Sequence, residues 1–265
     1  MVKVATLNIW NRFGPWEERL VAIRARLTEL APDVIGLQEV LKSTQGDRLD
    51  QAALVSQGLG YHAAWGIASE SHGFPVGNAV LSKWPIARTE VFPLPSGGSD
   101  EDRSLVFAEI DAPFGKFPFF VTHLNWKLHH GHVRQAQVRF VTDTIARLCP
   151  IGATFPPVVV GDFNAEPESD EIRFLRGLTG LGGKCVYFAD CFGVAGDGTR
   201  GITFARKNPF AAQVHEPDRR IDYVFVRGPD DRYRGEPLEA RVCFDEPAFG
   251  AYPSDHFGVV ATLST

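Results

Sequence analysis

The sequence predicts an α/β fold in which helices lie outside mixed β-sheets, and three observations indicate this class. Short, nearly continuous apolar runs such as Val2–Leu7 and Val34–Leu37 are typical of strands covered on both faces. In the middle of the chain, apolar segments follow one another closely and are separated by Pro and Gly, which indicates hairpins. Four segments with helical periodicity occur at intervals, so we expect two mixed sheets packed face to face with helices outside.

The first part of the chain is predicted to form a strand–helix–strand unit followed by a second helix. The first helix can begin at Pro15, because proline is tolerated in a first helical turn, and it should end before Pro32. Its apolar residues recur on one face, namely Leu20, Ile23, Leu27 and Leu30. The second helix is expected over Arg48–Gly58. The next strands are predicted near residues 61–67, 77–82, 86–92, 104–110 and 117–123.

The second half of the chain mixes helices and strands. A helix over Gly131–Leu148 has an apolar stripe, and a shorter helix is predicted over Glu168–Leu178. Between them lies the apolar strand Val158–Val160. Further strands are predicted near residues 201–205, 221–227, 238–243 and 256–263. Because no repeat, low-complexity tract or linker is visible, and 265 residues suit one large domain, we expect a single domain over 1–265.

Composition indicates an ordinary globular protein and limits the class of partner. Hydrophobic residues make up 44% of the chain and charged residues 22%, so a substantial core can form. The formal net charge is −5. This charge argues against a broad basic face for duplex nucleic acid, although a local basic rim is compatible with it.

Cysteine usage and the absence of targeting signals favour a cytoplasmic protein. The four cysteines form no CxxC pair, which favours reduced thiols. No signal-peptide pattern precedes the first strand, and no apolar stretch approaches the roughly 20 residues that span a bilayer. We therefore expect a cytoplasmic monomer without a transmembrane segment. A secreted form whose leader has been removed would have the same sequence.

Polar side chains sit at the ends of apolar runs in five short motifs. These motifs are Thr6-Leu7-Asn8, Gln38-Glu39, Gly161-Asp162-Phe163-Asn164, Arg220-Ile221-Asp222-Tyr223 and Ser254-Asp255-His256. Strand ends are where an α/β scaffold presents side chains into a crevice. A divalent metal together with a phosphate explains such a cluster, because hard cations take oxygen ligands and carboxylates with histidine can move protons.

The ordered set of motifs resembles the endonuclease/exonuclease/phosphatase superfamily, which includes apurinic endonucleases, deoxyribonuclease and neutral sphingomyelinases. The segment Gly77-Asn78-Ala79-Val80-Leu81-Ser82 is similar to the family's Gly-Asn strand, and Thr122-His123-Leu124 to its Thr-His-Leu. The resemblance runs from Asn8 to His256. It implies a four-layer α/β sandwich of two mixed, mostly antiparallel sheets packed face to face with helices outside. It also implies a phosphoester substrate and hydrolysis that depends on Mg²⁺ or Mn²⁺.

The resemblance implies a metal-binding and water-activating half of the site. It gives Glu39 as the principal Mg²⁺ ligand, with Asn8 and Asp255 in or near the coordination shell. Asp162 and Asn164 are separated by one residue, so on an extended segment both side chains point the same way. In the family, the equivalent of Asp162 is assigned to activating the attacking water and that of Asn164 to positioning the phosphate.

The resemblance also implies two histidines at the phosphate. Asp222 and His256 are similar to the family's carboxylate–imidazole pair, in which the carboxylate fixes the ring tautomer and favours the charged ring. The sequence leaves open whether Asp162 or His256 is the general base. His123 is implied as a second phosphate-binding or proton-donating group, and Asn78 as a residue that tethers it or the phosphate network.

Further polar and aromatic residues are expected near the site. Arg103, Arg134 and Gln137 occupy positions where relatives have polar residues near the site. Trp126 could stack on a substrate, since aromatic faces bind planar groups and cations. The segment His129-His130-Gly131-His132 could suggest a second metal, but no acid is interleaved, and a solvated loop is the favoured interpretation.

Taken one at a time, the motifs have ordinary structural explanations. Glu39 could cap a helix or form a salt bridge, and Asn8 and Asp162 could each form a turn. His256 could be a core histidine bonded to Asp222. The functional interpretation therefore depends on the ordered set rather than on any one motif.

The sequence predicts hydrolysis of a phosphodiester and favours a compact substrate. The net charge of −5 and the acidic segment Asp100-Glu101-Asp102 disfavour a long polyanion. A DNA or RNA nuclease is the first alternative, followed by a lipid or inositol-phosphate phosphoesterase. A catalytically retired binding module is the alternative from another class, and the intact motifs argue against it.

Overall fold

The computed structural model describes residues 1–43, 49–71 and 73–265, and in these ranges it contains twelve strands and six helices. The strands are β1 Val2–Asn8, β2 Val34–Leu41, β3 His62–Ser71, β4 Phe74–Ser82, β5 Ile86–Pro93, β6 Ser104–Ala112, β7 Gly115–His123, β8 Val158–Asp162, β9 Ala189–Asp190, β10 Asp222–Val226, β11 Pro237–Cys243 and β12 Gly258–Leu263. The helices are α1 Trp16–Leu30, α2 Gln51–Ser56, α3 Gly131–Leu148, α4 Asp170–Leu175, α5 Cys191–Ala195 and α6 Pro209–Ala212.

The described strands form two six-stranded mixed sheets. The first has the order β11-β12-β1-β2-β4-β3, and the second has the order β5-β6-β7-β8-β10-β9. Two pairings, β1 with β2 and β7 with β8, are parallel, and the other pairings between these strands are antiparallel. The prediction of mixed, mostly antiparallel sheets is therefore confirmed.

An apolar core joins the two sheets face to face. Both sheets contribute short branched side chains, including Val4, Val34, Val80, Val106, Val121, Val160 and Val224. Gly36 of β2 permits close approach, because a Cβ at this position would lie 2.5 Å from Val160 Cγ2 and 2.8 Å from Val121 Cγ2. Any larger side chain at this position would therefore push the sheets apart, since protein cores have no spare volume.

Helices cover the outer faces of both sheets. On the first sheet, α1 buries Ile23, Leu27 and Leu30 in a cluster with Leu7 and Leu37. On the second sheet, α3 buries Val138, Val141 and Ile145 in a cluster with Phe120 and Phe163. The order of helix, sheet, sheet and helix is the predicted four-layer sandwich. Within the described ranges, no helix is both long and apolar enough to cross a membrane.

The predicted strand over 201–205 is wrong. Phe204 makes isolated β-bridges instead of joining a ladder. Thr203 Oγ1 accepts hydrogen bonds from the backbone N–H groups of Ile221 and Asp222, each at 3.1 Å. Side-chain oxygens that bind backbone donors compete with strand pairing. The edge position beside β10 is occupied by β9.

The short helices α5 and α6 were not predicted, because four or five residues are too few to show helical periodicity. Each has a side-chain N-cap, Asp190 for α5 and Asn208 for α6. The predicted start of the second helix, Arg48, lies outside the described residues. The observed α2 begins at Gln51, after Asp50, whose side chain caps it.

Candidate active site

Three neighbouring strands of the second sheet place an imidazole and two carboxylates side by side. His123 ends β7, Asp162 ends β8 and Asp222 begins β10. In the strand register, Asp162 is paired with His123 on one side and with Asp222 on the other. Because paired residues on adjacent strands direct their side chains to the same face, the register itself forms this row. All three residues are buried.

The first sheet contributes Glu39 through an irregularity in β2. The pairing of β2 with β4 shifts between Leu37 and Val40, and Glu39 has a φ of 57°. A bulge of this kind re-aims a side chain, and a positive φ is strained for a residue with a Cβ. The Glu39 carboxylate consequently faces Asn8, whose Nδ2 donates to Glu39 Oε1 at 3.0 Å.

Asn8 links the two sheets at the site. Its Nδ2 also donates to Asp162 Oδ2 at 3.2 Å, and its Oδ1 accepts from the Trp10 backbone N–H at 2.9 Å. The Trp10 donor fixes the orientation of the amide, so the Asn8 nitrogen faces both carboxylates. As a metal ligand, Asn8 would have to use the second lone pair of Oδ1.

Asp162 is the point at which the polar groups converge. Its Oδ1 accepts from the Asn164 backbone N–H at 2.9 Å. Its Oδ2 lies 3.3 Å from His123 Nε2 and 3.7 Å from His256 Nε2. Burial and the neighbouring Asp222 raise the pKa of Asp162, and the His256 ring opposes them. Asp162 is therefore a stronger base than an exposed aspartate.

The two histidines lie in opposite electrostatic environments. Arg103 Nη1 donates to His123 Nδ1 at 3.2 Å, which places the ring proton on Nε2, facing Asp162. Burial, together with Arg103 and His256, lowers the pKa of His123 well below its usual range. Burial also lowers the pKa of His256, but the surrounding carboxylates, Asp222 foremost, outweigh it and raise this pKa well above its usual range.

The structure brings Asp222 and His256 together. His256 Nδ1 lies 3.0 Å from Asp222 Oδ2. The ring packs against Phe204, with a distance of 4.9 Å between the ring centroids. The carboxylate fixes the orientation of the imidazole, and Nε2 is left facing the cleft side of Asp162.

Two groups of side chains could hold a divalent cation. Asp162, Asp222 and His256 place ligand atoms within 4.8 Å of one another. The second group is built on Glu39 and Asp255. Burial raises the pKa of Asp255 to about 7, with His256 opposing this shift and Glu39 adding to it. The buried Asp255 and the half-buried Glu39 repel each other and offer the oxygen donors that a hard cation prefers, so these residues fit a divalent metal.

Arg19 supports the same side of the site and is absent from the predicted set. Its fully buried guanidinium donates to four carbonyls in the loop after β1 and to Pro253 O, two residues before Asp255. Burial lowers the pKa of Arg19 to about 10, and Asp255 and Glu39 oppose this shift. The available sequence signal was its position on the apolar face of α1, four residues before Ile23, where a buried charge requires partners.

Three of the other predicted residues line the cleft. Asn164, with a φ of 50°, donates its Nδ2 to the Leu124 carbonyl at 3.1 Å. Arg103 and Trp126 lie on the cleft wall with it. Asparagine tolerates the left-handed conformation better than most residues, which suits Asn164 to this turn.

The remaining predicted residues belong to the scaffold. Asn78 is buried and donates to the Ser104 carbonyl at 3.0 Å, and among the described residues no hydrogen bond joins it to His123. Its link to the phosphate network stays a prediction. Arg134 and Gln137 face inward from α3 and bind backbone groups of the loop after β7. Their polar character is explained by this support of the loop rather than by direct contact with the cleft.

The site opens into a cleft of about 530 Å³. Its aromatic and apolar lining consists of Trp10, Phe13, Trp126, Phe204, Val214 and Ile221. Its polar lining consists of Glu39, Arg103, His123, Asp162, Asn164, Glu216, Arg219, Asp255 and His256. The size is that of a site for a small molecule or for one segment of a larger one.

The family assignment follows from the whole of this arrangement. The profile of the Endonuclease/Exonuclease/phosphatase family matches residues 5–256, which include every site residue described above. The chain therefore belongs to the endonuclease/exonuclease/phosphatase family, as its motifs predicted. Members of this family are hydrolases that act on phosphoester bonds.

Solved structures confirm the fold. An endonuclease/exonuclease/phosphatase from Beutenbergia cavernae is 26% identical, with a TM-score of 0.74 over 99% of this chain and 71% of that chain. Truncated TDP2 from Caenorhabditis elegans is 20% identical, with a TM-score of 0.75 over 100% of this chain and 98% of that chain. The human Nocturnin catalytic domain with bound sulfate anion is 20% identical, with a TM-score of 0.71 over 99% of this chain and 94% of that chain. No curated protein matches this chain significantly.

Proposed function

We propose that this protein is a metal-dependent phosphodiesterase that hydrolyses a compact phosphodiester by in-line attack of water. The observation that carries the proposal is the convergence on Asp162, whose Oδ2 faces the Asn8 amide and the Nε2 atoms of His123 and His256. Membership of a family of phosphoester hydrolases supports the reaction class.

Asp162 is the group that we assign to the attacking water. Its carboxylate is held through Oδ1 by the Asn164 N–H, which leaves Oδ2 directed at the other polar groups. As the water oxygen forms its bond to phosphorus, the bond from phosphorus to the leaving oxygen breaks, and Asp162 takes the proton of the water.

His256 and its neighbours are assigned to the phosphate. Asp222 on Nδ1 favours the charged ring, so His256 Nε2–H can donate to a phosphoryl oxygen. His123 offers a second N–H on Nε2, because Arg103 occupies its Nδ1. Asn164 provides an amide at the same wall of the cleft.

Glu39 and Asp255 would hold the metal, with Asn8 beside them. When bound, Mg²⁺ or Mn²⁺ supplies positive charge that stabilises the negative charge on the phosphoryl and leaving oxygens. Arg19 holds the loop that follows Asn8 and the turn at Pro253, which precedes Asp255, at a fixed separation.

Metal dependence gives the first test. Excess EDTA should abolish turnover, and Mg²⁺ or Mn²⁺ should restore it. Glu39→Gln should weaken Mg²⁺ affinity by on the order of tenfold or more, because the swap keeps the shape and removes the charge of a ligand. Isothermal titration calorimetry with Mg²⁺ measures this directly. Glu29→Gln, the same swap on an exposed carboxylate, is the matched control. Unchanged affinity in Glu39→Gln would exclude Glu39 as the ligand.

Substrate size gives the second test. At about 0.15 M salt, exposed charges are screened beyond roughly 8 Å, so a chain of charge −5 should bind duplex DNA weakly. Bis-p-nitrophenyl phosphate should therefore be hydrolysed faster than plasmid DNA is nicked. Single-stranded RNA, sphingomyelin and inositol phosphates complete the panel. Faster nicking of plasmid would make the nuclease alternative correct, and no hydrolysis of any substrate with either metal would indicate a retired binding module.

A further inference from the structure

Trp126 has an exposed aromatic side chain, whereas the residue before it in the same loop is completely buried. The indole is 52% exposed and lies on the wall of the cleft. The side chain before it, Asn125, is 0% exposed. Asn125 N–H donates to Gln137 Oε1 at 3.0 Å, and Asn125 Nδ2 donates to Ser99 Oγ at 2.9 Å. The backbone that carries the indole is therefore anchored in the protein interior.

One buried guanidinium binds the carbonyl groups on both sides of Trp126. Arg134 Nη1 donates to Asn125 O at 3.3 Å and to Lys127 O at 2.8 Å. Arg134 is itself held by Glu171, with Nε donating to Oε1 at 2.6 Å. Because the backbone on each side of Trp126 is fixed, little conformational freedom remains to be lost when a ligand contacts the ring.

The same loop is connected to the catalytic groups through Glu101. Glu101 Oε2 accepts from the Trp126 N–H at 3.3 Å and from Asn125 Nδ2 at 2.5 Å. The other oxygen of Glu101 pairs with Arg103, and Arg103 donates to His123 Nδ1 at 3.2 Å. A continuous set of hydrogen bonds therefore holds the backbone of Trp126 at a fixed position relative to the imidazole that faces Asp162.

From this arrangement we propose that Trp126 stacks on a planar π-electron group, an aryl ring or a nucleobase, attached to the phosphate in the cleft. The inference rests on the proposed function and names the substrate class as phosphodiesters that carry such a group. A flat, exposed indole on an anchored backbone provides a stacking surface, and stacking of a base on an aromatic side chain changes affinity by about 5- to 150-fold.

The surroundings of Trp126 favour this occupant over a lipid surface. The neighbouring Lys127 is paired with Asp100, with Nζ lying 2.5 Å from Oδ1. Glu101 accepts a hydrogen bond from the backbone N–H of Trp126. An anionic membrane attracts rims rich in Lys and Arg, whereas here the acidic side chains Asp100 and Glu101 contact the loop that carries the exposed ring.

The test compares three phosphomonoesters that share the phosphate and differ in the attached group. Adenosine 5′-monophosphate has a nucleobase, phenyl phosphate has an aryl ring, and ribose 5-phosphate has neither. In calorimetric titrations of the wild-type protein, at least one of the planar ligands should bind about 5- to 150-fold more tightly than ribose 5-phosphate. Trp126→Ala should abolish this preference, and Trp126→Phe should retain most of it.

Leu128→Ala is the matched control, because Leu128 is 56% exposed on the same loop and is two residues from Trp126. It should keep the wild-type preference. Preference for the adenine ligand alone identifies a nucleobase as the planar group, and preference for phenyl phosphate alone identifies an aryl ring. Equal binding of all three ligands, binding of none, or an equal loss in Leu128→Ala would overturn the inference. Because the titration does not require turnover, failure of hydrolysis overturns the proposed function separately.

Discussion

Replacing Asp162 by Asn should lower kcat by on the order of 10²- to 10⁴-fold, which is the usual contribution of a positioned proton acceptor. The substitution keeps the shape of the side chain and removes its ability to take a proton. Since Asp162 is not expected to hold the leaving group, KM should change much less than kcat. Initial rates with bis-p-nitrophenyl phosphate at saturating Mg²⁺ provide the measurement.

Asp143→Asn is the matched control for this experiment. Asp143 lies on α3 and pairs with Lys184 at the surface, with 53% of its side chain exposed. It should leave kcat unchanged. If Asp162→Asn retains kcat within a few-fold of the wild type, the base is another group, and His256 is then the alternative that the sequence left open.

Much of the fold could be predicted because long periodic segments determine their own boundaries. The 18-residue pattern of α3 was predicted over Gly131–Leu148, and the helix has those bounds. The apolar runs of β1 and β8 likewise identified buried strands next to residues of the candidate site. In contrast, 201–205 has the composition of a strand, but Thr203 binds backbone donors of another segment, and a sequence pattern does not show such a tertiary contact.

The site could be predicted as a set of residues with one contact, that of Asp222 with His256, but not as the whole network. The order of motifs placed Asp162, Asp222 and His123 at strand ends, but their contact depends on the register of three strands that are distant in sequence. The positive φ of Glu39 follows from a bulge that no neighbouring residue indicates. Arg19 could have been noticed as a charge on an apolar helix face, although its partners, backbone carbonyls, have no sequence signature.

The sequence predicted a charged ring for His256, through its pairing with Asp222, but no charge state for His123. His123 and His256 have the same side chain, and both are buried. They differ because Arg103 donates to one ring and Asp222 accepts from the other. Such differences arise from contacts between separate strands and loops, and the contact of Arg103 with His123 was not predicted from the sequence.

Breaking a buried ion pair next to the site should be strongly destabilising. Arg220 Nη1 and Nη2 donate to Asp190 Oδ1 and Oδ2 at 3.0 and 2.8 Å, and both residues are buried. Asp190 lies in β9, and Arg220 lies two residues before Asp222, so the pair connects β9 to the segment that leads into β10. The Arg220 guanidinium also lies over the Tyr223 ring, 4.8 Å from its centroid.

Asp190→Ala should lower the free energy of unfolding by about 3–5 kcal/mol, because it leaves the Arg220 charge buried without its partner. Loss of the cap of α5 adds about 1 kcal/mol. Urea unfolding followed by circular dichroism measures the change. Asp143→Ala, which breaks an exposed pair, should cost no more than about 1 kcal/mol. The double variant Asp190→Ala with Arg220→Met should recover part of the loss, since no unpaired charge then remains buried. If Asp190→Ala costs no more than Asp143→Ala, this ion pair does not stabilise the strand that carries Asp222.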